Sequence, residues 1–324
     1  MKTLRKDLIL ALFFGLILPG MLLNLLTVPR KYPTVTEFTS VGEGETVVKV
    51  NIPILVRNED GEVEEMDLDA YIVGVVLAEM PASFESESKK AQAVAARTFA
   101  LRAKMTGGKH GDGTVCVSSG CCQAYTTVED YYGRGGKSEN VTSAEEAVLA
   151  TSGQVLTYEN ELIQATYFSC SGGSTEDAVA VWGSDVPYLR AKESPGEEGA
   201  KYHTDEVIFT AEEFNEALGT SLSGDPGKWF GMTTYTSGDG VATMQIGEKT
   251  YSGTQLRSKL GLRSTAFSVE VVSGEIRITT KGFGHRVGMS QYGADAMAAG
   301  GSGYREILEY YYPGTQLVLA EGEN

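Results

Sequence analysis

Four side chains that can bind a transition metal lie close together in residues 109–125, KHGDGTVCVSSGCCQAY. His110 is followed by Cys116, Cys121 and Cys122, so one imidazole and three thiols occur within one short segment. This set matches the Cys₃His type of tetrahedral zinc site, in which four protein ligands leave no open position for an activated water. The spacing therefore predicts a structural zinc loop.

Two other uses of these thiols remain open at the level of the sequence. Outside the cytoplasm they could form disulfides, with Cys116 paired to Cys122 and the fourth cysteine, Cys170, paired to Cys121. The segment could also be the catalytic centre of a zinc hydrolase. The adjacent pair Cys121–Cys122 is awkward for joint ligation, because neighbouring side chains tend to diverge.

Glu79, in the stretch YIVGVVLAEMP, is a candidate for acid–base chemistry. The apolar run predicts a helix over residues 67–81 that ends near Glu79, because Pro81 disfavours helical conformation at the residue before it. A carboxyl group at a helix C-terminus in apolar surroundings has a raised pKa, since the helix dipole and desolvation both disfavour the anion. Such an acid can protonate a leaving oxygen; the alternative is a solvated glutamate at a helix end.

Three further segments contain groups that could bind a sugar. Arg97 lies on a second predicted helix, residues 85–105, among small apolar neighbours, and is either directed across a cleft or a surface arginine. The polar loop SCSGGST (169–175) offers hydroxyls and backbone amides. The loop GFGHRVG (282–288) is not a dinucleotide-binding fingerprint, because Val287 stands where the third glycine should be. The candidate residues in and after these two loops are Ser169, Ser171, Gly172, His285, Gln291 and Tyr292.

Nucleophilic catalysis has little support in the sequence. No G-x-S-x-G motif occurs, which argues against a serine hydrolase of the α/β-hydrolase type. A pair of Cys170 with His285 is conceivable, but nothing in the sequence sets the distance between them.

The composition describes the protein that must position these groups. Its 324 residues are 42% hydrophobic and 22% charged, as expected of a globular chain with an ample core. The 43 acidic and 27 basic residues give a net charge of −16. This charge argues against nucleic-acid binding, which needs clustered Lys and Arg. A neutral or weakly charged ligand fits better.

Residues 8–28, LILALFFGLILPGMLLNLLTV, are long and apolar enough to span a membrane. Lys2, Arg5 and Lys6 precede this run, so the positive-inside rule places the N-terminus in the cytoplasm and the rest of the chain outside. The alternative is a cleaved signal peptide, but its apolar region would be shorter. The sequence therefore predicts an N-terminal transmembrane anchor at 1–28, followed by a linker at 29–45.

The remaining pattern mixes helix and strand signals. Alternating residues predict a strand at 47–56, Ser143 with Glu146 forms a candidate capping box for a short helix ending at Gly153, and a hairpin turns at Glu159–Asn160. The predicted fold class is α+β, with two lobes flanking a glycan-binding cleft. The predicted domains are a catalytic lobe at 46–192 and 276–320 and a second lobe at 193–275.

The order of motifs resembles the stage II sporulation protein D family. The motifs are YIVGVVLAEMPASF, KKAQAVAARTFAL, SGGSTED…VWG…VPYL, GHRVGMSQYGA and YYPGTQL, and they extend from about residue 45 to 318. EMPASF and AQAVAART together are highly specific. The resemblance implies a membrane-anchored lytic transglycosylase that cuts peptidoglycan glycan strands lacking stem peptides during engulfment of the forespore.

The resemblance also implies roles for individual residues. Glu79 corresponds to the catalytic glutamate of the E-M-P motif, and Arg97 to a substrate-site residue. The zinc ligands of some relatives correspond to His110, Cys116, Cys121 and Cys122, although Cys121 stands where those relatives carry a histidine. If the enzyme hydrolyses the bond with water, a second carboxylate is needed. The candidates for it are Glu85, Glu87, Asp177 and Asp295.

Partners and location follow from the same resemblance. It implies an amidase, stage II sporulation protein P, and a membrane protein, stage II sporulation protein M, as partners. The catalytic domain would lie outside the cytoplasm on the mother-cell membrane and face the intermembrane space. The domain also occurs in amidase enhancers, so a non-catalytic glycan-binding protein is the main alternative to an enzyme.

Overall fold

The helix that ends at Glu79 is formed as its sequence predicts. A computed structural model describes residues 38–40 and 51–320, and helix α1 spans Leu68–Glu79. Asp67 caps its first turn by accepting a hydrogen bond from the backbone N–H of Ala70 at 3.1 Å. Met80 is extended, with φ −107° and ψ 129°, so the helix ends one residue before the residue that precedes proline.

Helix α2, Ser86–Thr106, packs against α1 and confirms the predicted helix at 85–105. Several of its alanines are completely buried, among them Ala93 and Ala96. These small side chains let the two helix backbones approach closely. Gly107 ends α2 in the left-handed conformation, with φ 87°.

Seven further α-helices and fifteen strands occur in the described residues. The helices are α3 Val128–Gly133, α4 Ser138–Leu149, α5 Ala178–Trp182, α6 Ala211–Leu218, α7 Gly253–Leu260, α8 Gln291–Ala299 and α9 Tyr304–Tyr311. The first eight strands are β1 Phe38–Ser40, β2 Pro53–Arg57, β3 Val63–Asp67, β4 Val115–Cys116, β5 Gln154–Tyr158, β6 Glu161–Leu162, β7 Tyr167–Phe168 and β8 Thr204–Phe209. The others are β9 Phe230–Tyr235, β10 Val241–Ile246, β11 Lys249–Ser252, β12 Phe267–Val272, β13 Glu275–Lys281, β14 Met289–Ser290 and β15 Gln316–Ala320. The fold is mixed α+β, as predicted.

The strands form small sheets that join distant parts of the chain. Strands β1, β15, β5 and β6 form one sheet in that order, and β3, β2 and β4 form another. Strand β7 pairs in parallel with β14, which brings the loop after β7 beside the start of α8. A separate bridge between Cys170 and Phe283 joins that loop to the glycine-rich loop before β14. The other two sheets, β11-β10-β9 and β12-β13-β8, come from residues 204–281.

Three clusters of buried apolar side chains form the core. The first is built around α1, α2 and β2, and the second around α2, α8 and α9. Both use α2, which therefore holds two parts of the core together. The third cluster is drawn from the segment 207–278 and includes Phe214, Leu256 and Ile278. The division into two lobes flanking a cleft stays a prediction.

Two predictions about local structure are wrong. Ser143 does not begin a helix: α4 starts five residues earlier, and the Ser143 hydroxyl accepts a hydrogen bond from Lys89 at 3.1 Å. Residues 38–40 lie in the predicted linker but form β1, which pairs antiparallel with β15. This three-residue strand is too short to produce a periodic pattern.

The hairpin at Glu159–Asn160 is confirmed. Both residues have positive φ, 51° and 64°, between β5 and β6, as a two-residue hairpin turn with the strand's right-handed twist requires.

The predicted membrane anchor lies outside the described residues. Within residues 38–40 and 51–320, no helix is long and apolar enough to cross a membrane.

Candidate active site and metal-binding loop

Glu79 lines a cavity of about 650 Å³. The walls come from the end of α1, the cysteine loop, the loops around β7 and Gly284, and single residues from α2, α5, α7 and α8. Four of the predicted site residues outside the cysteine loop line it: Glu79, Ser169, His285 and Gln291. The structure therefore brings together residues that are far apart in the sequence.

Two hydrogen bonds hold the carboxyl group of Glu79. The backbone N–H of Ala124 donates to Oε1 at 2.8 Å, and Nε2 of Gln291 donates to Oε2 at 3.2 Å. Burial raises the pKa of Glu79 above its ordinary value, while the two hydrogen bonds oppose this shift. A raised pKa increases the protonated fraction near neutral pH, and the two donors stabilise the anion once the proton has left.

Glu79 is the only carboxylate among the described residues that line the cavity. None of the four candidate partners lines it, and the carboxylates of three of them have other contacts. Glu87 accepts a hydrogen bond from a lysine of its own helix at 2.6 Å, and Asp295 accepts one from the backbone N–H of Glu85 at 2.7 Å. Asp177 accepts one from a backbone N–H of a neighbouring loop at 2.8 Å. The cavity thus has one acid–base group of the carboxyl type.

His285 lies in the cavity as a neutral imidazole. Burial lowers its pKa to about 4, and the positive charge of Arg257 contributes to this shift. The backbone N–H of Val287 donates to Nδ1 at 3.1 Å, so Nε2 carries the hydrogen of the neutral ring. The ring lies 5.3 Å from that of Trp182, which is 41% exposed and also lines the cavity. Together they offer a hydrogen-bonding group beside an apolar ring face.

Tyr292 supports the site without lining the cavity. Its backbone N–H donates to the carbonyl of Ser169 at 3.0 Å, which ties the start of α8 to the loop after β7. Its ring packs edge-on against Phe84 at 4.9 Å. Tyr292 therefore helps to place its neighbour Gln291.

Arg97 is not brought to the cavity. Its side chain is fully buried, and its Nε donates to Asp69 at 2.8 Å. The other guanidinium nitrogens donate to the carbonyls of Gln154 and Val148, each at 3.2 Å. Arg97 therefore connects α2 with α1, α4 and β5, and the structure gives it a role in the core in place of the substrate contact that the resemblance implies.

Ser171 and Gly172 lie beside the cavity wall but are directed away from it. Both donate backbone N–H groups to the buried carboxylate of Glu197, at 2.6 and 3.2 Å, and the Ser171 hydroxyl donates to the same group at 2.9 Å. Gly172 has φ 72°, and a Cβ there would lie 2.5 Å from the backbone nitrogen of Gly282. The role of Glu197 could not be identified from the sequence, because no motif is typical of a carboxylate that accepts hydrogen bonds from backbone N–H groups.

Cys170 belongs to the same buried network. Its thiol donates to Glu197 at 3.0 Å, and burial together with this negative charge raises its pKa. A thiol with a raised pKa is a poor nucleophile. The structure therefore does not support a catalytic pair of Cys170 with His285. All four cysteines of the chain are described, and none forms a disulfide.

The predicted zinc ligands form one compact cluster. One donor atom from each of His110, Cys116, Cys121 and Cys122 lies within 4.8 Å of all the others. Nε2 of His110 is 3.7 Å from Sγ of Cys121 and 3.6 Å from Sγ of Cys122, and these two sulfurs are 4.0 Å apart. A tetrahedral zinc requires about 3.6 Å between N and S and about 3.8 Å between two sulfurs, given its bond lengths. The cluster could bind a metal ion such as zinc.

The electrostatics of Cys116 agree with metal binding. Burial opposes ionisation of this thiol, but hydrogen bonds from the Ser118 backbone and the His110 side chain lower its pKa to about 7. The thiolate is the form that ligates metals. Turns at Ser118 bring the two adjacent cysteines to the same side, since the N–H groups of both Cys121 and Cys122 donate to its carbonyl. The expected divergence of the pair does not prevent joint ligation.

The metal-binding loop leads directly into the site. Ala124, which donates to Glu79, is two residues after Cys122. Between them, Gln123 accepts a hydrogen bond from the hydroxyl of Tyr167 at 2.8 Å and donates one to Tyr71 at 3.4 Å. Neither role could be identified from the sequence. Ala124 acts through its backbone N–H, which has no signature in residue types, and the partners of the Gln123 side chain lie far away in the chain.

Comparison with known proteins gives the family. Stage II sporulation protein D of Bacillus subtilis (strain 168) is 40% identical over 278 residues, which cover 84% of this chain and 80% of that protein. The chain belongs to the stage II sporulation protein D family. A family model described as "Stage II sporulation protein" matches residues 57–158. Stage II sporulation protein D of Bacillus amyloliquefaciens is 38% identical over the same shares. The amidase enhancer of B. subtilis is 30% identical, and the match covers 76% of this chain and 40% of that protein.

Proposed function

We propose that this member of the family is a lytic transglycosylase that cleaves peptidoglycan glycan strands lacking stem peptides. The observation that supports this most is the single carboxyl group with a raised pKa in the cavity. Glycosidases that use water need two carboxyl groups, one acid and one base or nucleophile. A transglycosylase needs only one, because the sugar supplies the attacking hydroxyl.

The proposed reaction uses Glu79 twice. The protonated carboxyl group donates its proton to the glycosidic oxygen between MurNAc and GlcNAc while the bond from C1 to that oxygen breaks. The 6-hydroxyl of MurNAc then attacks C1, and the Glu79 carboxylate takes the hydroxyl proton. The products are a 1,6-anhydro end and a free 4-hydroxyl, and Glu79 is protonated again.

The other cavity residues have supporting roles in this proposal. Ala124 and Gln291 stabilise the carboxylate formed in the first step and hold it for the second. His285 and Ser169 offer hydrogen bonds to sugar hydroxyls and acetamido groups, and Trp182 offers a ring face against which a sugar ring can pack. These groups suit a neutral glycan.

Zinc has a structural role in the proposal. His110, Cys116, Cys121 and Cys122 would hold it, and when bound it would cross-link the loop that carries Ala124. Four protein ligands fill a tetrahedral site, so the ion is expected to stabilise the loop and not to activate water.

Substitution of the acid tests the proposed activity. Glu79→Gln removes the proton that is transferred and should lower release of anhydromuramyl fragments from denuded glycan at least about 100-fold. Glu87→Gln, at a half-buried position of α2 outside the cavity, is the control and should leave the rate unchanged. A Glu79→Gln variant that is folded and still cuts at the rate of the unchanged protein would refute the role of Glu79.

A second candidate function is supported by the similarity to the amidase enhancer. In that case the cavity binds glycan and another enzyme performs the cleavage. Purified protein would then bind denuded glycan strands without shortening them. The outcome of the same digestion therefore separates an enzyme from a binding protein.

The cellular setting is also a proposal. It places residues 1–28 as a membrane anchor, with the rest of the chain facing the space between the mother-cell and forespore membranes and acting with the amidase and the membrane protein named above. The apolar segment 8–28 and the family support it. Recovery of full-length protein in the soluble fraction, or failure of both partners to co-purify with it, would contradict it.

A further inference from the structure

Arg257 lines the cavity from a helix that contains none of the sequence motifs described above. It lies on α7, which buries Leu256 and Leu260 in the third core cluster. Arg257 is half-buried and lines the cavity that contains Glu79. Its charge contributes to the lowered pKa of His285, so its guanidinium lies near that ring.

Within the part of the chain that the structure describes, the guanidinium of Arg257 has no hydrogen-bond or ion-pair partner. Among the arginines of residues 51–320, Arg257 is the one whose side chain forms neither a hydrogen bond nor an ion pair. Arg263, six residues later, shows the usual situation, with its Nε 3.0 Å from Asp205. Burial lowers the pKa of Arg257, which shows that the cation loses hydration without compensation. A half-buried cation without a counter-ion is suited to an anionic ligand.

Two cationic side chains line the cavity of a strongly acidic chain. Lys109 and Arg257 line it, whereas Glu79 is its only carboxyl group among the described residues and His285 is neutral. The amino group of Lys109 donates to the carbonyl of Cys121. Of the two cations that line the cavity, Arg257 is therefore the one without a hydrogen-bond partner among the described residues. In a chain with a net charge of −16, the placement of two cations at one cavity does not follow from composition.

We propose that Arg257 binds the lactyl carboxylate of MurNAc and thereby selects glycan strands that have lost their stem peptides. This inference rests on the proposed function. In an intact strand the lactyl carbonyl forms a neutral amide with the stem peptide. Hydrolysis of that amide leaves a carboxylate, which the planar guanidinium can bind with two parallel hydrogen bonds.

The proposal also places the reaction in a sequence. The substrate must come from an amidase-type hydrolysis that breaks the bond between the lactyl carbonyl and the first amino group of the peptide. Glycan cleavage would therefore follow that hydrolysis, because a strand that still carries its peptides has no lactyl carboxylate for Arg257 to bind.

Binding measured in a Glu79→Gln background separates recognition from cleavage. The probes are a GlcNAc–MurNAc oligosaccharide with free lactyl carboxylates, the same oligosaccharide with these groups converted to primary amides, and a chitooligosaccharide of equal length, which has no lactyl group. Calorimetry should show the carboxylate form binding at least about tenfold more tightly than the amide form.

Arg257→Met should remove this preference and leave the affinity for chitooligosaccharide unchanged. Arg257→Lys should keep part of it, because the charge remains but the paired hydrogen bonds are lost. Lys259→Met, on the same helix and outside the cavity, removes the same charge and should keep the full preference.

Two results would overturn the inference alone: equal binding of the carboxylate and amide forms by the parent, or a full preference in Arg257→Met. Failure of all three probes to bind the parent would overturn the proposed function as well. Loss of chitooligosaccharide binding in Arg257→Met would show that the residue maintains the structure of the cavity and does not recognise the lactyl group.

Discussion

At the scale of single residues, the site depends on contacts that span the chain. Glu79 could be selected from the sequence, because a helix C-terminus, an apolar run and a following proline lie within a few neighbours of it. Its two donors could not, since they lie 45 and 212 residues away. Arg97 shows the opposite case: its family motif is conspicuous, but its contacts are those of a core residue and it does not line the cavity.

Gln291 tests how the protein sets the acidity of Glu79. Its hydrogen bond lowers the pKa of Glu79, so Gln291→Leu should raise that pKa further. The rate is lost as pH rises through the pKa of the catalytic acid, and the alkaline limb of the pH–rate profile should therefore move to higher pH. We expect a rate about tenfold lower at the optimum as well, because one donor to the developing anion is missing.

The control for this experiment is Gln245→Leu, which changes an exposed glutamine of β10. Its profile should superimpose on that of the unchanged protein. An alkaline limb of Gln291→Leu that stays in place or moves to lower pH would show that Glu79 is not the group whose ionisation limits the rate.

Arg97 is expected to affect stability before it affects binding. Arg97→Met leaves Asp69, which is 8% exposed, without its ionic partner. Breaking such a buried pair costs about 3–5 kcal/mol in the free energy of unfolding. Arg102→Met, on the same helix with one hydrogen bond to a carbonyl, should cost much less.

Chemical denaturation measures this loss, and glycan binding is compared at a temperature where both variants are folded. We expect the affinity of folded Arg97→Met to equal that of the control. An unchanged free energy of unfolding together with weakened glycan binding would instead support the substrate contact that the family motif implies.

At the scale of elements, the helices were easier to predict than the strands. Helix α1 has a capping residue, Asp67, and is followed by Pro81, and α2 ends at Gly107; both match their predicted ranges to within two residues. Strands of two or three residues, such as β1, β4 and β7, exist because of pairing with distant segments. The cluster of four candidate metal ligands could be predicted from spacing, since all four lie in one loop, but the link from that loop to Glu79 could not.

Removal of the metal tests this link. We expect about one zinc per chain, and its removal by a chelator should lower the melting temperature by about 10 °C, if the ion contributes about 4 kcal/mol. Activity should fall together with the loss of the folded loop, because Ala124 follows the ligands directly. Cys122→Ser should lose the metal, whereas Cys170→Ser should keep it, since Cys170 contacts Glu197.

Metal content by mass spectrometry and melting by calorimetry measure both effects. Purified protein that contains no zinc and has a Cys116–Cys122 disulfide would refute the metal site. Loss of activity at a chelator concentration that leaves melting unchanged would instead favour a zinc hydrolase.

At the scale of the whole molecule, the cavity combines segments that a linear motif search separates. Cavity-lining residues come from α1, the metal-binding loop, α7 and the loops that β7 and β14 bring together. The motifs of residues 79–122 and 282–292 could be predicted to matter. Trp182 lies in the VWG motif, but nothing in the sequence places it at the cavity, and Arg257 has no signal beyond a helical arginine. The lone carboxyl group of the cavity is the feature on which the proposed chemistry depends.

The mass of the ends produced from denuded glycan tests this account most directly. A digest by the wild-type protein should contain fragments that end in 1,6-anhydro-MurNAc, each lighter by one water molecule than the corresponding hydrolysis product, and Glu79→Gln should produce none. Fragments with reducing MurNAc ends would contradict the single-carboxyl mechanism, because they require an attacking water and a second catalytic group.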